Sequence, residues 1–167
     1  MVTVQLKGNP WNLTGSIPEK GKKAPPIEGV DADLKNRSLS EFQGKKKIIC
    51  FVPSLDTPVC SESARKFNKK IQSKENVVVL YLSFDLPFAL KRACSKEDND
   101  LKHLLLLSLF KSKKPAEDYG VLIQNGPLSG LCARAVFVLD ENDITIYSEL
   151  VTELSHEPNY EKALSQV

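Results

Sequence analysis

No segment of these 167 residues approaches the roughly 20 consecutive apolar positions of a membrane helix, and the leucine block Leu104 to Leu107 reads as a short buried strand. An excess of one charge is lacking too. Lysine and arginine number 23 against 21 acidic residues, a formal net charge of +2, which argues against a dedicated nucleic-acid or membrane surface. The run Lys45-Lys46-Lys47 is read as a solvated turn leading into a strand. Met1 to Leu6 alternates apolar and polar residues and has no continuous apolar core of the signal-peptide kind, so a soluble, cytoplasmic protein is expected. There is no C-x-x-C pair, and the cysteines at 50, 60, 94 and 132 have no zinc-ligand spacing with His103 or His156. No metal, no cofactor and no structural disulfide framework are expected. Glycine-rich phosphate loops, internal repeats and a second domain are missing as well. One domain spanning residues 1–167 is long enough to bury about two-thirds of its unfolded surface.

What the chain does have is a cysteine in an unusual place. The apolar run Ile48 to Val52 reads as a buried strand, and Pro53, with no amide to give to a ladder, ends it. Pro58 disfavours the α conformation at Thr57 and itself suits the first position of a helix. Thr57 is therefore the helix cap, its hydroxyl directed at the amides beside Cys60. Cys60, Ala64, Phe67 and Ile71 recur at helical spacing, with Glu62, Arg65, Lys66, Lys69 and Lys70 on the other faces. The opening amides of a helix are unpaired and carry its positive dipole end, so a thiolate at Cys60 is favoured.

The other three thiols differ from this one. Cys50 lies inside the buried strand and reads as a small core hydrophobe. Cys132 follows the turn Asn125 to Gly130 and carries no redox signature. Cys94 sits among Lys91, Arg92, Lys96 and acidic residues, near the surface and within reach of a second thiol. Along the chain, Met1 to Leu13 reads as an amphipathic hairpin turning at Gly8-Asn9-Pro10, with Trp11 against the main body; a loop rich in proline and lysine follows. Strands are expected at Ile48–Val52, Val77–Leu82, His103–Leu107, Arg134–Leu139 and Ile144–Ser148, the last two forming an antiparallel hairpin. Helices are expected at Val59–Ser73, Pro87–Ser95, Lys114–Tyr119 and Pro158–Leu164. That alternation is the mark of an α/β layer fold around a central sheet.

These residues carry a resemblance. Pro53, Thr57 and Cys60 form the pattern P-x-x-x-T-x-x-C, which resembles the active-site loop of peroxiredoxins. Asp56 to Cys60 with Arg65 to Asn68, Asp85 to Ala89 with Arg92 to Cys94, and Ala133 to Val136 are similar to the thiol peroxidase branch of that family. So are Gly8 to Pro10 and Leu139 to Asp143. The similarity runs through nearly the whole chain in order. It implies a thioredoxin-like fold: a mixed central sheet flanked by helices, with an N-terminal β-hairpin. Pro58 departs from the glycine common at that position, and Cys50 and Cys132 are additional thiols.

The chemistry sets its own requirement. An ordinary thiol, with a pKa of about 8.5, is only a few per cent ionised near pH 7. Bringing such a group to about 6 takes roughly 3.4 kcal/mol, whereas a helix N-terminus supplies about 0.3–1 and rarely about 2. A guanidinium is the natural supplement, being always charged and donating in a planar fork. Arg65 is off the face of Cys60 by helical spacing; Arg134, opening a buried-looking strand, has no solvent reason to be there. The resemblance favours Arg134.

The resemblance further implies that Cys60 is the peroxidatic cysteine, attacking a hydroperoxide to leave a sulfenic acid. Thr57 would position the reacting atoms, Arg134 stabilise the developing charge, and Pro53 shape and shield the pocket. Cys94 would be the resolving cysteine of an intramolecular disulfide, reduced in turn by thioredoxin, in a homodimer. A non-enzymatic redox sensor would use the same residues, and only turnover with a reductant separates the two. A cysteine phosphatase would need arginine six positions after Cys60, where Lys66 stands; a thioredoxin-like disulfide exchanger would want a C-x-x-C.

Overall fold

The structure, a computed structural model, describes residues 2–94 and 101–167. Strands β1 (Thr3–Leu6) and β2 (Asn9–Asn12) form an antiparallel hairpin whose two turn residues, Lys7 and Gly8, have positive φ of 51° and 81°. That geometry matches the twist of the flanking strands, and glycine adopts it at no steric cost. The turn thus falls one residue earlier than the Gly8-Asn9-Pro10 reading, with Asn9 and Pro10 already in β2. Trp11 is buried with Val4, Leu13, Ile123, Ala133 and Leu154, anchoring the hairpin to the body. The backbone passes so close at Gly126 that a Cβ there would lie 2.9 Å from the indole.

Among the described residues the main sheet has seven strands. In chain order the elements are β3 (Glu28–Asp31), β4 (Asn36–Ser38), β5 (Lys46–Phe51), α1 (Pro58–Ile71), β6 (Val77–Ser83), α2 (Pro87–Cys94), β7 (Leu104–Ser108), α3 (Lys114–Asp118), β8 (Ala135–Leu139), β9 (Thr145–Leu150) and α4 (Tyr160–Leu164). Across the sheet they run β4-β3-β7-β6-β5-β8-β9, with β5, β6 and β7 parallel and the remaining neighbours antiparallel. The mixed sheet and the β8–β9 hairpin agree with the expectation. β3 and β4 are not among the expected strands: both are short and rich in polar residues, and the proline- and lysine-rich loop runs up to them. Val30 and Asp31 pair with Ser108 and Leu107 of β7, a long-range effect, and β4 pairs in turn with β3.

Both faces of the sheet are covered, so each central strand feeds two cores in alternation. Ile48, Cys50, Tyr81 and Val136 pack with Phe67 of α1, Leu90 of α2 and Leu164 of α4. Ile49, Phe51, Leu80 and Phe137 pack on the other side with Ala116 of α3, Tyr119 and Cys132. No helix among the described residues is long and apolar enough to cross a membrane.

The lysine run corrects one expectation. Lys45 is exposed and Lys46 half-buried, but Lys47 is 0% exposed. The strand pleat turns Lys47 to the same side as Ile49 and Phe51, where the β8–β9 turn closes over it. Its Nζ lies 2.5 Å from Asp143 Oδ1 and donates to the Asp140 carbonyl at 3.3 Å. A buried cation is tolerated because it is paired and hydrogen-bonded.

Candidate active site

The parallel strands β5 and β6 end side by side, and the loops leaving their carboxyl ends build the site, as is usual in α/β sheets. After β5 the Val52 amide still donates to the Leu82 carbonyl at 3.0 Å, and buried Pro53 then breaks the ladder. The Ser54 carbonyl accepts from the Thr57 amide at 3.2 Å and from the Thr57 hydroxyl at 2.9 Å, closing a tight turn. Thr57 has the extended backbone of a cap (φ −84°, ψ 143°), Pro58 opens α1, and the Cys60 amide donates to Thr57 Oγ1 at 3.4 Å. The helix start expected at Thr57-Pro58 is therefore the one observed.

Cys60 itself is 0% exposed, sunk among Val52, Leu55, Ala64 and Val136. Arg134, immediately before β8 and 2% exposed, donates from Nη1 to Cys60 Sγ at 3.3 Å and from Nη2 to the Leu154 carbonyl at 3.2 Å. Among the described residues no carboxylate lies within ion-pair distance of this guanidinium, and its Nε has no hydrogen-bond partner. A buried cation of that kind calls for electron-rich partners, and the sulfur is the side-chain atom it meets. Arg65 points elsewhere, pairing with Glu62 at 2.6 Å on the outer face of α1. Of the two arginines, tertiary structure brings Arg134 to the thiol, 74 positions away in sequence.

Cys94 is the last residue of α2, half-buried, and packs with Ala93 against the same apolar cluster that holds Cys60. A cleft of about 170 Å³ opens between the start of α1 and the end of α2, lined by Leu55, Asp56, Thr57, Pro58, Ser61, Arg92 and Ala93. None of the four cysteines is in a disulfide. Burial pushes the thiols of Cys50 and Cys132 well above the usual cysteine range, so neither ionises near neutral pH. A larger cleft, about 370 Å³, lies at the β3–β4 edge and includes Arg37 and Glu41, which already pair with each other. Its lining is remote from Cys60, whereas the smaller cleft is lined by Thr57, Pro58 and Ser61, which flank Cys60 in sequence.

The sequence reading passed over one residue as no more than part of a motif. The Asp85 carboxylate, just after β6, accepts from the Ser54 hydroxyl at 2.7 Å, the Leu55 amide at 2.8 Å and the Ser83 hydroxyl at 2.8 Å. It holds the loop that leads into α1. The signal available was its place: a carboxylate directly beyond a buried strand, beside another strand's functional end. Ser63 was also missed; one turn beyond Cys60, its hydroxyl meets that of buried Tyr81 at 2.5 Å.

With the geometry in hand, the relatives are informative. The chain matches the Redoxin family over residues 19–164. It is 45% identical over 165 residues to a thiol peroxidase of Leptospira interrogans, covering 99% of this chain and 96% of the relative. Among solved structures, a peroxiredoxin-like protein from Aquifex aeolicus superposes with a TM-score of 0.92 at 40% identity, covering 98% of this chain and 94% of the other. A thiol peroxidase from Chromobacterium violaceum gives 0.88 at 25% identity, covering 98% and 95%. The thioredoxin-like architecture expected above is thus the observed one. These matches run over nearly the whole chain, and the chain belongs to the redoxin family, in its thiol peroxidase branch.

Proposed function

We propose that this protein is a single-domain, thiol-dependent peroxidase in which Cys60 reduces hydrogen peroxide and alkyl hydroperoxides. The observation that carries the reading is the 3.3 Å contact from Arg134 Nη1 to Cys60 Sγ at the amino end of α1. The thiolate is the nucleophilic form of a cysteine, and a guanidinium and the amides of a helix start are the kinds of group that hold negative charge. The thiolate attacks the terminal oxygen of ROOH, the O–O bond breaks, and RO⁻ leaves to take a proton as ROH. Cys60 becomes a sulfenic acid. Arg134 stabilises the negative charge that shifts from sulfur to the leaving oxygen. The Thr57 hydroxyl is placed beside the sulfur's own amide to orient the attacked oxygen, and Pro53 keeps the loop closed against water.

Cys94 then condenses with the sulfenic acid, forming the Cys60–Cys94 disulfide and releasing water. A dithiol reductant of the thioredoxin type restores both thiols, supplying two electrons and two protons. A cytoplasmic homodimer is the setting this family membership suggests. Peroxide consumption coupled to thioredoxin, comparing hydrogen peroxide with an organic hydroperoxide, tests the whole cycle. Turnover with the unaltered protein and none with Cys60→Ser is expected. Turnover retained by Cys60→Ser would overturn the assignment.

A further inference from the structure

Two contacts tie the loop before Cys60 to the segment that ends in Cys94. The inner one is the Asp85 carboxylate, which takes the Ser54 hydroxyl, the Leu55 amide and the Ser83 hydroxyl. Asp85 is itself fixed to β7, its carbonyl accepting from the Ser108 hydroxyl at 2.5 Å. The outer contact crosses the mouth of the cleft, where Arg92 Nη2 stands 3.3 Å from Asp56 Oδ2. One contact grips the start of segment 85–94 and the other grips its end. Both grip the turn that aims Cys60 at Arg134.

We propose that Asp85 and the Arg92–Asp56 pair act as a clamp on this turn: Asp85 positions Cys60 for oxidation, and both contacts limit how often the turn opens toward Cys94. The inference rests on the reading of Cys60 and Cys94 as the reacting pair. A disulfide requires Cα atoms about 4.4–6.8 Å apart and directly bonded sulfurs. Cys60 is fully buried, and the cleft separates the start of α1 from Arg92 and Ala93 at the end of α2. The disulfide therefore follows an opening of the turn, and each clamp contact is broken or strained in it. While the clamp holds, Cys60–SOH has a competing fate. A second hydroperoxide converts it to Cys60–SO₂H and ROH, whereas Cys94–SH converts it to the disulfide and water. Asp85, Arg92 and Asp56 are positioning residues: they set the partition between these fates without touching the peroxide.

The chemistry of Asp85 makes a gentle variant available. A carboxylate offers about four acceptor sites to its three donors, while asparagine has one oxygen and turns an NH₂ group toward a donor. Stopped-flow mixing of the full-length protein with hydrogen peroxide separates oxidation of Cys60 from disulfide formation, and intact-mass measurement counts sulfinic acid. Arg92→Gln should leave oxidation within about twofold. It should speed disulfide formation by up to about fivefold, the fold-change that corresponds to the ~1 kcal/mol upper end for an exposed ion pair. Sulfinic acid should fall in step. Salt at about 1 M should speed disulfide formation in the unaltered protein and not in Arg92→Gln, because screening removes only a pair that exists. Asp85→Asn should slow oxidation by about tenfold or more while speeding disulfide formation, a split that general loosening of the fold does not produce. Disulfide formation that is unchanged or slower in both variants overturns the clamp. An unaltered protein that consumes peroxide without forming a Cys60–Cys94 disulfide overturns the reading beneath it, and the clamp with it.

Discussion

Replacing Arg134 with methionine keeps much of the side chain's volume and removes its charge. In the folded protein the guanidinium spans two acceptors, Cys60 Sγ at 3.3 Å and the Leu154 carbonyl at 3.2 Å. A hydrogen bond to a charged group contributes about 1.5–3 kcal/mol, roughly ten- to hundredfold in any equilibrium or rate that depends on it. The same guanidinium also stabilises charge in the transition state, and deleting one such donor commonly costs about 10²–10³ in rate. Arg134→Met should therefore lower the second-order rate of Cys60 oxidation by at least about a hundredfold. Arg134→Lys should fall between, since one ammonium lacks the fork that serves both acceptors. Stopped-flow oxidation gives the rate, and thiolate absorbance in a background of Cys50→Ala and Cys132→Ala follows the ionised fraction. Arg65→Ala is the control, because Arg65 pairs with Glu62 on the outer surface. Oxidation of Arg134→Met within twofold of the unaltered protein, or an equal loss in Arg65→Ala, would refute the reasoning.

Three further outcomes are expected. Lys47→Met leaves the Asp143 carboxylate without its partner and should cost about 3–5 kcal/mol in a denaturant titration. Adding Asp143→Asn should recover part of that, as asparagine tolerates the positive φ of 65° there; no recovery would mean the pair is not what holds the turn. Burial of Asp31 pushes its carboxyl up, but the amides of Lys35 and Asp33 and the Arg37 guanidinium outweigh this and hold it below the usual value. A depressed folded pKa gives stability that is complete above the unfolded value of about 3.9 and is lost as pH falls through the lower folded one. Asp31→Asn should thus narrow the difference in melting temperature between about pH 5 and about pH 3, and an unchanged difference would count against these contacts. Cys50→Ala and Cys132→Ala should each retain most peroxidase turnover, because burial keeps both thiols protonated; loss of turnover in either, with the fold intact by circular dichroism, would assign that thiol a role.

How much of this was legible in the chain alone depended on the range of the interaction. The start of α1 was readable because caps and prolines act over three or four residues: Thr57 and Pro58 set their own backbone angles whatever surrounds them. The buried strands were readable because Ile48 to Val52 and Val77 to Leu82 are apolar throughout. The reading of α2 as far as Ser95 falls partly outside the described residues. β3 and β4 were not legible, since four and three mostly polar residues become strands only when β3 pairs with β7 and β4 with β3.

The site divides in the same way. By itself the sequence determined that Cys60 opens a helix behind a buried strand, and with it the kind of chemistry the thiol is suited to. Tertiary structure decided which cation meets it. Arg134 reaches Sγ because β8 lies beside β5, a pairing between residues more than 80 positions apart, while Arg65, five residues from Cys60, is carried away by the helical turn. It also decided that Asp85 grips the Cys60 loop and that Lys47 is buried. The charge and shape of a side chain are written in its own position. The neighbour that balances that charge is supplied by strand order and pleat, which no local stretch of residues encodes.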